Sequence, residues 1–275
     1  MEIQKLAVRE QIVKTVAKSG NGGAVWVPKG WLGHEVIVIL PEKPELKPAE
    51  KIIHLLEPHL KDIMSVGIYG SHARDEHTKD SDLDVLVITK DKNLRLNFKE
   101  EKIEITSFPI DKFKKAIEKY PAIYYQMVQE VKPLINGDVF EELKKISVTK
   151  ESLKHYLTET REHIESSREL LELDKIDNVY LKSYSVLYSS MLRLRGLFIM
   201  ECMLSTAKFS NKKFKNRIIS LGLGRKEFEN CHKAYRLIRD NMRIKSLKIR
   251  INVAEKTLGI LEKETGLVEA QINGR

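Results

Sequence analysis

Apolar and polar positions follow three different rhythms along the chain. Up to residue 40, a charged lead-in gives way to short apolar runs broken by Ser19-Gly20-Asn21-Gly22-Gly23 and by Pro28-Lys29-Gly30, a pattern of short strands and turns. Val36, Ile37, Val38 and Ile39 form a β-branched run suited to a buried strand. The following segment PEKPELKP carries three prolines that oppose both helix and central strand, so it reads as a linker with a boundary near residue 45.

Residues 50–140 read as a compact α/β unit. Ala49 to Leu60 has apolar residues at helical spacing, and strands are expected at Ser65–Tyr69, Asp82–Thr89 and Lys102–Phe108, with helix beyond Asp111. From Thr149 onward the period is helical almost throughout. The most apolar of these helices, within Asn178–Ser205, is expected at the centre of a bundle. Further helices are expected through Cys231 to Ile238 and over residues 251–263. The expected architecture is an α/β core, residues 46–147, between a small N-terminal β module, residues 1–45, and a C-terminal helical bundle, residues 148–275.

Composition narrows the class. With 275 residues, 42% hydrophobic and 32% charged, the chain suits a globular protein with a sizeable core. Its apolar runs are too short to cross a bilayer and its N-terminus lacks a signal-peptide core, so a cytoplasmic location without membrane contact is expected. Cys202 and Cys231 are too few for a disulfide framework or a cysteine-built zinc site. The net charge of +9 is unevenly spread: residues 211–250 hold 13 basic and 3 acidic residues, and the remainder is almost balanced. A solvated helical face would account for that stretch; so would a surface for a polyanion, with nucleic acid the first candidate.

The chemistry is concentrated in Ile68-Tyr69-Gly70-Ser71-His72-Ala73-Arg74 and Asp80-Ser81-Asp82-Leu83-Asp84-Val85. Strand residues two apart share a side, so Asp82 and Asp84 would present two carboxylates together, with Leu83 and Val85 facing the opposite layer. Adjacent like charges are costly unless cations lie between them, and paired divalent ions at such a site serve phosphoryl or nucleotidyl transfer. Gly70 and Ser71 stand where a strand should turn into a helix, where close backbone approach and amide donors suit phosphate oxygens.

The order strand, Gly-Ser, helix, strand with Asp-x-Asp resembles the nucleotidyltransferases of the DNA polymerase beta superfamily, and GSHAR…DSDLDVLV follows that pattern closely. The resemblance implies an NTP substrate, ATP being the expected one, and two Mg²⁺ ions held by Asp82 and Asp84. It also implies a third carboxylate on a later strand, completing the catalytic metal site and activating the attacking hydroxyl. Glu104 in KIEITSF is the best match, with Glu101 its rival. Gly70 and Ser71 would position the triphosphate, aided by Arg74, which could instead pair with Asp80; His72 has the same choices or faces solvent. Asp80 and Ser81 would shape the loop. Where this chain has Arg74-Asp75, minimal members often have Arg-Gly, a departure expected to alter the turn rather than the metal site.

The flanking parts carry weaker resemblances. Leu6 to Leu40, with SGNGGAVWVPKGWLGHEVIVIL, resembles the swapped-hairpin modules of the AbrB type. That resemblance implies a homodimer, and DNA contact through Arg9, Lys14 and Lys18 or else a purely dimerising role. Trp26 and Trp31 read as core residues. The C-terminal part resembles the substrate-binding or HEPN-like bundles joined to minimal nucleotidyltransferases. The nuclease pair of a HEPN domain would have to be Arg225 and His232. Candidate polyanion contacts are Lys212, Lys213, Lys215, Arg217, Arg225, Arg236, Arg239, Arg243, Lys245, Lys248 and Arg250. Arg236 and Arg239 share a helix face and would hold phosphate in the cleft, or pair with Glu227 and Asp240.

The expected activity is Mg²⁺-dependent transfer of a nucleoside monophosphate to an acceptor hydroxyl on RNA, such as tRNA. The alternatives are a protein-modifying (AMPylating) transferase, transfer to a small molecule, and a dimeric DNA-binding regulator that senses nucleotide without turnover.

Overall fold

The computed structural model describes residues 10, 12, 14–39, 47–79, 81–94, 96, 102–176, 178–242 and 247–274. Arg9, Asp80, Glu101, Arg243 and Lys245 therefore lie outside the described residues. The chain divides into two compact units, Met1–Glu45 and Leu46–Arg275.

In the first unit, β1 (Ala17–Ser19) and β2 (Gly22–Ala24) form an antiparallel hairpin turned at Gly20, whose φ is +57°. A 3₁₀ turn follows at Lys29–Trp31, where the indole Nε1 donates to Glu10 at 2.9 Å. The run Val36–Ile39 is not a strand here. Its side chains are exposed, Val38 by 71%. Trp26 also lies outside any core, 73% exposed, while Trp31 is half-buried.

The second unit opens with α1 (Pro48–Leu56), started by Pro48 at its first turn and by Glu50, which accepts the Lys47 backbone N–H at 3.0 Å. The helix stops earlier than its apolar spacing suggests and tightens into a 3₁₀ turn over Glu57–Asp62. Next come β3 (Ile63–Tyr69), α2 (Gly70–Ala73), β4 (Leu83–Thr89) and β5 (Ile103–Pro109). After α3 (Ile110–Lys119) and α4 (Pro121–Glu130) a strand absent from the sequence reading appears, β6 (Lys132–Ile135), followed by α5 (Gly137–Lys144). The strands form one sheet in the order β5-β4-β3-β6, with β4 and β5 parallel and the other neighbours antiparallel. β6 carries Pro133 and lies at the edge, where a missing N–H costs no ladder bond.

β4 is buried on both faces, which explains its unbroken apolar run. Leu83, Val85 and Val87 pack with Ile52 and Leu56 of α1, while Leu86 and Ile88 pack with Phe113, Val128 and Phe140 on the other face. This alternation leaves Asp84 at the start of β4, on the face of Leu86 and Ile88 but beyond the apolar layer.

The helices that follow are α6 (Lys150–Lys175), α7 (Ser185–Leu204), α8 (Asn211–Ser220), α9 (Arg225–Arg239) and α10 (Ile251–Asn273). Thr149 and Ser210 cap α6 and α8, each accepting a backbone N–H three residues on, at 3.2 and 3.1 Å. α7 is apolar nearly all round and lies within the bundle core, with Leu187, Met191, Leu194 and Met200 buried. α6 and α10 run antiparallel, pinned by the ion pairs Arg161–Glu269, Arg168–Glu262 and Lys175–Glu255, whose members step by seven residues on both helices. α10 continues ten residues beyond the expected end at 263, because Leu261, Val268 and Ile272 keep its buried stripe in phase. No helix among the described residues is long and apolar enough to cross a membrane.

Candidate active site

Strand register assembles the carboxylates. Asp84 stands beside Tyr69 on the antiparallel side and beside Glu104 on the parallel side, so Glu104 is its direct cross-strand neighbour. Asp82 lies just before β4 and is exposed, as is Glu104; Asp84 is half-buried. Burial and the neighbouring Glu104 push the Asp84 carboxyl up to about 6, with Arg239 and Arg74 opposing and Asp82 adding to the shift. The side chain thus carries an electrostatic cost that a bound cation would relieve.

Gly70 lies against this carboxylate. Its φ is +74°, and a Cβ there would stand 2.9 Å from Asp84 Cγ and overlap Oδ2. Only glycine lets the β3–α2 turn approach so closely. Ser71 next to it is half-buried, and its hydroxyl makes no hydrogen bond among the described residues. The Tyr69 hydroxyl shares a 3.0 Å hydrogen bond with Thr106, and burial raises its pKa, so it stays protonated.

Arg74 is committed elsewhere than the sequence suggested. Its Nη1 meets Glu130 at 2.6 Å and its Nε meets Glu76 at 2.9 Å, with Arg74 and Glu130 only 10% and 8% exposed. Glu130 also accepts the Gly70 backbone N–H at 2.7 Å and the Gln126 amide at 2.7 Å. Glu76 in turn accepts the backbone N–H and side-chain amide of Asn211 at 3.0 and 2.9 Å. Asn211 Oδ1 accepts Arg195 Nη1 at 2.7 Å, and the Phe209 ring lies against both Arg195 and Arg74. A continuous polar chain therefore fastens the Gly70 turn to α4, α7 and α8. Glu76, Glu130, Arg195 and Asn211 were not singled out from sequence; their partners lie up to 135 residues away, and no local spacing signals them. His72 stacks on His77 with centroids 4.1 Å apart, and burial lowers its pKa. Ser81 shapes the preceding loop, accepting the Thr78 N–H at 2.9 Å.

The basic candidates divide. Arg217 makes a two-pronged contact with buried Glu264, 3.1 Å on each side, and serves the bundle. Lys215 pairs with Glu229 at 3.0 Å. Arg239 pairs with Asp240 at 2.7 Å, and its charge acts on Asp84, so the end of α9 lies within electrostatic reach of that carboxylate. Glu227 pairs with Lys256 rather than with Arg236. Lys212, Lys213, Arg225, Arg236, Lys248 and Arg250 are exposed. Arg225 opens α9 at the helix start, beside the turn at residues 222–224, and His232 lies seven residues on along the same helix.

Asp82, Asp84 and Glu104 offer hard carboxylate oxygens, the donors that Mg²⁺ prefers. Among the described residues, no three such side chains already converge on one point.

Residues 50–139 match the family model described as Polymerase beta, Nucleotidyltransferase, a span that contains Gly70, Ser71, Asp82, Asp84 and Glu104. No curated protein sequence matches the chain significantly. A solved nucleotidyltransferase-like protein from Exiguobacterium sibiricum is similar at 13% identity over 81% of this chain and 78% of that one, with a TM-score of 0.32.

Proposed function

We propose that this chain, whose residues 50–139 match the nucleotidyltransferase family model, transfers a nucleoside monophosphate from an NTP, ATP by preference, to a hydroxyl on RNA. The observation that carries this reading is the register pairing of Asp84 with Glu104, with the Gly70 backbone pressed against the same carboxylate. In the reaction, the acceptor oxygen bonds to the α-phosphorus, the bond from that phosphorus to the bridging oxygen breaks, and pyrophosphate leaves with the electron pair. Asp82, Asp84 and Glu104 would hold two Mg²⁺ ions, which when bound supply positive charge against the triphosphate oxygens and acidify the hydroxyl. Glu104 would accept the hydroxyl proton, a role supported by its exposure and its register position next to Asp84. Gly70 and Ser71 bring backbone and a free hydroxyl to the phosphates, and Arg74 holds that turn in shape through Glu130 rather than touching substrate. Positioning of the reacting groups supplies most of the rate.

The test incubates the protein with Mg²⁺, each α-labelled NTP and a cell extract, with Asp82→Asn as the blank. Ribonuclease-sensitive label is expected, strongest with ATP. Protease-sensitive label would replace RNA by a protein acceptor. Absence of label above the blank, with the fold intact, would favour the nucleotide-sensing regulator.

The N-terminal unit supports a homodimer. Trp26, Leu32, Ile37, Val38 and Ile39 are each 67–73% exposed, more apolar surface than a small monomeric module leaves to water. A second copy of this unit would bury them. Light scattering is expected to give twice the 31.8 kDa chain mass, and Ile37→Asp/Ile39→Asp to give the monomer. The free, buried cysteines Cys202 and Cys231 suit a reducing cytoplasm.

A further inference from the structure

A cavity of about 470 Å³ lies between α8 and α9, within the usual range for a ligand site. Its walls are shared with the catalytic end of the molecule. Asn211, at one end, holds Glu76 of the Gly70–Glu130–Arg74 chain through three hydrogen bonds of 2.9–3.2 Å. Asp240, also in the lining, bonds Arg239, the residue whose charge reaches Asp84. Arg236, one turn before Arg239 on α9 and about 4.5 Å along its axis, faces the cavity.

The lining has two chemistries. Lys212, Lys233 and Arg236 make no ion pair among the described residues, whereas the two lining carboxylates are already taken, Glu229 by Lys215 and Asp240 by Arg239. Three unneutralised cations thus border the space, Lys212 from α8 and Lys233 and Arg236 from α9. Beside them His232 and Phe228 form a parallel ring pair, centroids 5.6 Å apart and planes 12° from each other. Burial and the surrounding cations, Arg236, Arg195, Arg239 and Lys215, push the imidazole down to about 4, so it stays a neutral heteroaromatic ring among positive charges. Cations next to flat neutral rings complement a phosphate next to a base. An acidic polypeptide would answer the cations and leave the rings without a counterpart.

We propose that the cavity between α8 and α9 is the acceptor site and holds one nucleotide of a single-stranded nucleic-acid end. Its phosphate lies on Lys212, Lys233 and Arg236, and its base lies against the half-buried His232 ring, which buried Phe228 backs from within. A duplex is excluded by the size of the space, so an unpaired end has to enter. The word acceptor rests on the nucleotidyl-transfer reading; the nucleotide site does not.

The experiment measures binding of a fluorescent 12-mer to the full chain without NTP or metal, using single-stranded RNA, single-stranded DNA and duplex in separate arms. Lys212→Ala/Lys233→Ala/Arg236→Ala is expected to weaken single-strand binding on the order of 30-fold and to flatten the salt slope by about 0.7, the share of one single-strand phosphate. Lys112→Ala/Lys114→Ala/Lys115→Ala removes the same charge from the exposed face of α3 and is expected to cost under threefold. His232→Ala is expected to cost roughly tenfold and His232→Phe to restore binding, which a general loss of charge or packing would not do. RNA binding more tightly than DNA would support the site and an RNA acceptor together; equal binding would support the site alone. Equal losses in the two triple variants, or duplex binding as tight as single strand, would overturn the proposal. So would protein label that the cavity triple reduces while no oligonucleotide binds. Asp82→Asn is expected to bind oligonucleotide normally. Binding that needs the cavity in a protein that transfers nothing would overturn the transfer reading and leave this one standing.

Discussion

Asp84→Asn is expected to silence nucleotidyl transfer while making the metal-free protein more stable at pH 8. The first effect follows from removing the central carboxylate of the site, a loss of several kcal/mol of charge stabilisation and so about a thousandfold or more in rate. The second follows from the direction of the Asp84 shift. Burial and Glu104 raise the folded carboxyl to about 6 from its ordinary 3.8, so the folded chain holds that proton more tightly than the unfolded chain. Above pH 6 the folded state must carry a charge it disfavours, and stability drops as pH rises from about 4 to about 6. Asparagine imitates the protonated form and removes a penalty of about 1–3 kcal/mol, at 1.4 kcal/mol per unit. Urea unfolding in EDTA should therefore show the variant ahead at pH 8 and the two proteins converging near pH 4. Adding Mg²⁺ at pH 8 should stabilise the parent by mass action and leave the variant unmoved. A variant equal or inferior to the parent in EDTA at pH 8 would sink the idea that the site stores this cost for an ion.

The part of the site built on contiguous sequence was readable from it, and the part built on long-range contacts was not. β3, β4 and β5 announce themselves because their apolar, β-branched runs end at Gly70, begin at Asp82 and follow Lys102, and the fold places all three within a residue or two of those limits. β6 was missed because Pro133 argues against a strand in general, and only an edge position removes that objection. The Val36–Ile39 run has strand composition without a strand, since propensity alone does not supply a pairing strand and none pairs with it among the described residues. Arg74 looked like a phosphate ligand because neither Glu76, two residues on, nor the distant Glu130 is marked by spacing as its partner. Glu130 comes from α4 and is nearly buried, and a buried charge needs its partner far more than an exposed one. The cavity shows the same division. Its cations stood out as a basic stretch, but the neutral imidazole and the stacked Phe228 gain meaning only once α8 and α9 pack.

Gly70→Ala tests the closest approach in the site, and transfer by this variant is expected to fall about a hundredfold or more with the fold retained. Two costs meet at one methyl. At a φ of +74° an alanine is strained by roughly 1–2 kcal/mol, and its Cβ would overlap Asp84 Oδ2. Either the turn retreats, withdrawing its N–H from Glu130 and Ser71 from the triphosphate, or Asp84 rotates away from Glu104. Both displace reacting groups by about an ångström, enough to cost a hundredfold in rate. The expected signature is a fall in kcat with a small loss in melting temperature, and weakened Mg²⁺ binding if it is Asp84 that moves. Gly266→Ala provides the opposite case in the same protein. It lies inside α10 with open space around its Cβ, so alanine should stabilise the helix by about 0.5–1 kcal/mol and leave transfer unchanged. If Gly70→Ala kept full activity, the contact between the turn and Asp84 would have no catalytic meaning, and the triphosphate would have to be held by residues other than Gly70 and Ser71.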